Sequence, residues 1–174
     1  MNALAKPEVG EYFAANFVSA FQKVGNFRIQ NGQKQGGNVA SYFCTPQGQV
    51  LDIIPGPVDA ATLMREARWV EETWKLGQLQ HRSESGMRSL FASAHAKRLE
   101  EDVTVPPQLK GRLTAPIAYQ LAMREYNGLS PDGKAHALLA REPMAPISRV
   151  YEYVFEKILN QKVSTDPVHL RNGG

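Results

Sequence analysis

The chain predicts an α/β domain followed by an α-helical extension. Three observations lead there. Residues 17–24, "FVSAFQKV", alternate in the two-residue period of a strand. Residues 39–54 hold two apolar runs, "VASYFC" and "QVLDII", on either side of "TPQG", the pattern of a hairpin. From about residue 60 onward, apolar side chains recur at the three- and four-residue steps of amphipathic helices.

Each element has a local reason. Residues 7–16, "PEVGEYFAAN", predict a short helix, with Pro7 in the first turn and Glu8 near the positive end of the dipole. Val9, Tyr12 and Phe13 share one face. Residues 17–24 then predict a strand. Residues 25–38 are rich in Gly, Gln and Asn and predict a flexible excursion with a short strand near 27–29. Residues 39–44 predict a strand. In the turn that follows, Pro46 presets its own φ and Gly48 tolerates a positive one. Residues 49–54 return antiparallel, and "PGP" stops the ladder because proline lacks an N–H. Asp59 is the expected N-cap of a helix whose stripe is Leu63, Ala67, Val70 and Trp74.

The remainder predicts helices. Met87, Leu90, Phe91, Ala94 and Leu99 mark one segment, either separate or continuing the previous helix past Gly77 and Gly86. Residues 104–116 form a proline-marked linker, and 117–126 a short helix ended by Asn127-Gly128. Ser130 and Pro131 open the next helix as cap and first-turn residue. A last helix presents Val150, Tyr151, Val154, Phe155, Ile158 and Leu159, and the polar tail from 162 to 174 is expected to fray. The expected division is a domain over 1–78 and an extension over 79–174.

The order helix, strand, variable crossover, strand, tight turn, strand, helix over the first 75 or so residues resembles the C-terminal part of the thioredoxin-like fold. "LAKPEVGEYFAANFVSAFQKV" is similar to that superfamily's helix-to-strand passage. "VASYFCTPQGQVLDIIPGPVDAATLMREA" is similar to its hairpin, glycine corner and closing helix. The resemblance implies a Cys-x-x-Cys after a first strand and a cis-proline at the start of the hairpin. Neither is present; aligning the Gly48 turn puts Val39 at the proline position, so no catalytic residue carries over. The expectation is a non-redox relative or an N-terminally truncated sheet. A truncated sheet leaves an edge to be covered by the helical extension or by a partner subunit.

Composition narrows the function classes. The 174 residues are 43% hydrophobic and 21% charged, which suits a folded core rather than a disordered chain. Twenty basic residues against 17 acidic ones, with no block of five like charges, argue against a dedicated nucleic-acid binder. One cysteine excludes an intrachain disulfide and a Cys-rich zinc site. No apolar run reaches the roughly 20 residues of a membrane span. The expectation is a soluble, cytoplasmic protein with no membrane partner and no cofactor.

Candidate chemistry is sparse. Cys44 ends a predicted strand with no adjacent cation and no resolving cysteine; a small buried hydrophobe is the favoured reading over a reactive thiol. His81, His95, His136 and His169 include no pair at helical metal spacing. His95 and His136, set among alanines, read as ordinary helix histidines, so no metal ligand is expected. Ser41 and Ser148 sit in no nucleophile motif. "NGQKQGGN" lacks the Gly-Lys-Ser/Thr and the following helix of a phosphate loop. Trp69, Trp74, Tyr151 and Phe155 are candidates for an interaction surface. The functional expectation is a non-catalytic interaction or scaffold domain that binds a protein partner or itself. The alternative is a single-cysteine redox protein handling disulfides or peroxides through Cys44.

Overall fold

The hairpin at the centre of this molecule has its two faces covered by different sets of helices. The computed structural model describes residues 3–24, 28–30, 33–35, 38–80 and 83–164. Helix α1 spans Pro7–Asn16. A first hairpin pairs β1 (Arg28–Gln30) with β2 (Gln33–Gln35), and a second pairs β3 (Ala40–Cys44) with β4 (Val50–Pro55), both antiparallel. Helices α2 (Ala60–Gln80), α3 (Glu84–Leu99), α4 (Ala115–Arg124), α5 (Pro131–Arg141) and α6 (Ile147–Tyr153) follow. The last runs on into a π-helical turn, Val154–Ile158. The architecture is therefore mixed α/β and mostly helical. Among the described residues, no helix is long and apolar enough to cross a membrane.

Local chemistry places these elements. Gly48 turns the second hairpin at φ 75°, where a side chain would be strained. Asp59 Oδ1 accepts from Thr62 N–H at 2.8 Å and starts α2. Ser83 Oγ accepts from Gly86 N–H at 3.2 Å, so α3 is a separate helix rather than a continuation of α2. Glu66 meets Arg98 and Gly77 lies against Met87, so α2 and α3 run antiparallel. Ser130 Oγ accepts from Gly133 N–H at 2.9 Å and caps α5.

Three apolar clusters form the core. In the first, Phe43, Leu51 and Ile54 pack with Val9 of α1, Leu63, Ala67 and Val70 of α2, and Met87 and Phe91 of α3. The second joins Ala96 and Leu99 of α3 to Ala118, Leu121 and Ala122 of α4 and Ala137 and Ala140 of α5. The third joins Val50 and Ile53 of β4 to Ala135 and Leu139 of α5, and to Val150, Val154 and Ile158 at the C-terminal end. Strand β4 shares in the first and third, α3 in the first and second, and α5 in the second and third. These three elements meet where the clusters abut.

The expected strand over 17–24 is not formed. Phe17 packs on Phe13 and Phe43, with ring centroids 5.2 and 5.5 Å away. Val18 and Phe21 point into solvent, and no described strand lies alongside to complete a ladder. The alternation was real, but a strand needs a hydrogen-bonding neighbour as well as a pattern. The excursion over 25–38 carries two short strands rather than one. The linker begins its helix at Ala115, earlier than expected, because Pro116 suits a first turn. The extension does contribute to the sheet edge. Val50 N–H donates to Ala145 O and Ile147 N–H to Gly48 O, both at 2.9 Å, beside the start of β4. The tail from 165 onward lies outside the described residues.

Candidate functional site

Strand β4 reads Val50-Leu51-Asp52-Ile53-Ile54, a carboxylate in the middle of an apolar strand that is buried along its whole length. Asp52 is 1% exposed, and its Oδ1 has no hydrogen-bond partner. An unsatisfied buried carboxylate is costly. Burial pushes its pKa up to about 7, partly opposed by the Arg98 guanidinium nearby.

The register of the hairpin explains how Asp52 is aimed. Cys44 pairs with Val50 and Phe43 with Asp52, so Leu51 is an extra residue with no partner across the ladder. Such bulges re-aim side chains and loosen the ladder locally. The Leu51 carbonyl accepts from His95 Nε2–H at 2.9 Å. A carbonyl can only accept, so this contact fixes the tautomer: the neutral His95 ring keeps its lone pair on Nδ1.

His95 comes from α3 and is 1% exposed; His136 comes from α5 and is 8% exposed. Their Nδ1 atoms lie 3.2 Å apart. The close approach has a cause in the sequence. Both histidines are flanked by alanine, and Ala96, Ala135 and Ala137 are fully buried, so α3 and α5 approach with little bulk between them. His136 Nδ1 lies 4.0 Å from Asp52 Oδ1. Burial lowers the pKa of both rings, His95 to about 3, and for His136 the neighbouring His95 and Arg98 add to the effect. Both imidazoles are therefore neutral near pH 7. Trp69 stands edge-on to His95 at 5.2 Å. Arg98 lies over Trp69 at 3.9 Å and donates to Glu66 Oε2 at 2.5 Å.

Asp52 and His136 open onto a cavity of about 440 Å³. Its walls carry the carboxylates of Glu66, Glu101, Asp102 and Asp132 against the guanidinium groups of Arg65 and Arg98. Glu66 already pairs with both arginines. Asp102 and Asp132 are exposed overall, but partial burial at the cavity wall raises their pKa values; for Asp132, Glu66 and Asp102 push in the same direction. Around the cavity, five carboxyl groups face two guanidinium groups. Asp52, His95 and His136 offer one ligand atom each, all within 4.8 Å of one another.

The residues singled out from sequence lie mostly elsewhere. Cys44 is half-buried at the end of β3, in the third cluster, and burial pushes its thiol up to about 11. Trp69 is half-buried against Phe91, His95 and Arg98 and so forms part of the site's surroundings. Trp74 packs on the first cluster, Tyr151 is half-buried, and Phe155 is buried inside the fold. His81 and His169 fall outside the described residues. No two histidines stand at helical metal spacing in the sequence, yet His95 and His136, 41 positions apart, meet from two helices. Asp52 was not singled out, although a lone acid inside "VLDII" is the signal that marks it.

No protein-family model, no curated protein and no solved structure matches this chain.

Proposed function

We propose that this chain is a non-redox binding domain, thioredoxin-like in its first half, that takes a cationic ligand in the carboxylate-lined cavity over β4. The observation that carries the reading is Asp52 Oδ1, a buried acceptor without a partner on the cavity floor. The crowded carboxylates of Asp102 and Asp132 support it, because a bound cation relieves a repulsion the folded chain already bears. The succession α1, β3–β4 hairpin with a Pro-x-Gly turn, α2 supports the thioredoxin-like part, although β1 and β2 intervene and residues 17–24 form no strand. The half-buried Cys44 thiol, with its pKa raised, supports the non-redox part.

The test is thermal unfolding of the full chain with Mg²⁺, Ca²⁺, Zn²⁺ and 1,4-diaminobutane in turn. A ligand at a hundredfold excess over its Kd adds about 2.7 kcal/mol of stability, which appears as a clear rise in Tm. At least one cation is expected to raise Tm, and the Asp52→Asn/Asp132→Asn double variant to lose most of the rise. No stabilisation by any of the four sinks the reading.

Self-association is a second reading, favoured by one observation. Val18 is fully exposed and Phe21 is 88% exposed, two apolar side chains three positions apart in solvent. Light scattering tests it: a dimer that Phe21→Ser returns to monomer supports it, and a monodisperse wild-type monomer removes it.

A further inference from the structure

We infer that the floor of this cavity is a site for one divalent transition-metal ion, held by His95 Nδ1, His136 Nδ1 and Asp52 Oδ1, with the remaining coordination position facing the cavity. The inference rests on the cation-binding reading and names the cation. The class of ion is that of zinc: borderline in softness, and suited to imidazole and carboxylate ligands.

The geometry supports each ligand separately. His95 donates Nε2–H to the Leu51 carbonyl at 2.9 Å, which leaves Nδ1 as the ligating atom. Metal-bound histidines are oriented in this way, by an outer hydrogen bond from the other ring nitrogen. His136 Nδ1–H donates to the His95 Nδ1 lone pair across 3.2 Å, and on metal binding that proton moves to His136 Nε2, which frees Nδ1 as the second ligand. Two nitrogens bound tetrahedrally to zinc at about 2.0–2.1 Å are separated by roughly 3.3 Å, so the rings stand at nearly the ligand-to-ligand distance. Asp52 Oδ1 lies 4.0 Å from His136 Nδ1, and the three ligand atoms all fall within 4.8 Å of one another, so the carboxylate must move toward the rings by on the order of 1 Å to complete the set. It is also the acceptor with no other partner.

The donor set selects among cations. Two imidazole nitrogens and one carboxylate oxygen suit zinc, iron, cobalt or nickel, whereas Mg²⁺ and Ca²⁺ call for all-oxygen shells. The ligands come from rigid elements rather than loops: β4, the middle of α3 and the middle of α5. Asp52 and His136 line the cavity and His95 does not. The ion would thus be closed on the His95 side and open on the cavity side. Three protein ligands with one open position is the arrangement that accepts an exchangeable ligand, unlike a closed four-ligand structural site.

The test uses the metal-free full chain, titrated with Zn²⁺ by calorimetry and with Co²⁺ by visible absorption. One equivalent of Zn²⁺ is expected to bind, and Co²⁺ to show the intense visible bands of low-coordinate nitrogen and oxygen ligation. Asp52→Asn and His136→Asn should each weaken Zn²⁺ binding by about a hundredfold or more, at or beyond the 10–100-fold associated with outer-shell changes. Cys44→Ser should leave it unchanged. Where a variant does not fold, the wild type alone decides. Its Co²⁺ form should show two paramagnetically shifted, exchangeable imidazole N–H resonances, one per histidine. Binding that survives His136→Asn, or that depends on Cys44, overturns the inference. So does a Co²⁺ form without shifted imidazole protons. If Zn²⁺ does not bind while Ca²⁺ or 1,4-diaminobutane still raises Tm, the metal site fails and the cation-binding reading stands. If no cation acts, both fail.

Discussion

A buried ionisable side chain has to be matched or neutralised, and this chain buries three around one point. Asp52, His95 and His136 share a space closed on one side by Leu51 and Trp69 and open on the other to Asp102 and Asp132. The last two carboxylates carry a testable sign. Their folded pKa values are raised by burial and by neighbouring acids. A carboxyl group with a raised folded pKa holds its proton where the unfolded chain has released it, so stability falls as pH rises out of the ordinary carboxylate range. The Asp102→Asn/Asp132→Asn variant should therefore gain stability over wild type at pH 8 and gain little near pH 4, as urea titrations at the two pH values would show. Cys44 makes a second residue-scale prediction. With its thiol raised to about 11 by burial, against ~8.5 for a free thiol, the native chain should alkylate more slowly than the urea-unfolded chain at pH 8. A faster native rate would reinstate Cys44 as a reactive thiol.

At the scale of elements, two devices hold the site's supports in place. The first is the capping of α5. Ser130 Oγ takes the Gly133 N–H, and Ser130→Ala should cost about 1 kcal/mol, read as a lower denaturation midpoint with an unchanged slope. The second is the close packing of α2 on α3. A Cβ at Gly77 would run into Met87 Sδ and Leu90, so Gly77→Val should destabilise by about 1–3 kcal/mol through over-packing. Met87→Ala in the same chain should recover part of that loss, because it removes the obstructing atoms. If Gly77→Val proves neutral, α2 and α3 do not approach as closely as described. The bulge at Leu51 belongs to this scale too. It is a backbone feature whose consequence is a carbonyl aimed at His95.

At the scale of the molecule, the hairpin depends on the helices that follow it. Val50 and Ile53 pack against Ala135, Leu139, Val150 and Val154, and backbone bonds tie residues 48–50 to 145–147. A chain ending at residue 128 would leave this apolar face in water and remove His136. It should show no cooperative thermal transition, whereas the full chain should melt in a single one. A well-folded truncated chain would mean that the hairpin is stable without its C-terminal cover.

The sequence by itself determined nearly every helix, the second hairpin and its turn. Those depend on neighbours a few positions away: Pro7 and Pro131 in first turns, Asp59 and Ser130 as caps, Gly48 at positive φ. It misjudged residues 17–24, where alternation held but no described strand lay alongside to pair with. Cys44, the residue with the most conspicuous chemistry in the chain, lies in an apolar cluster with its thiol pKa raised. The site was legible only in fragments: a lone acid in an apolar strand, and two histidines each between alanines. Tertiary structure alone decided that these fragments meet, because a contact 41 residues apart in sequence is set by how α3, α5 and β4 pack and not by any local spacing. It also decided their state. Burial keeps the imidazoles neutral and leaves Asp52 Oδ1 without a hydrogen-bond partner, and burial is a property of the whole fold rather than of the residue.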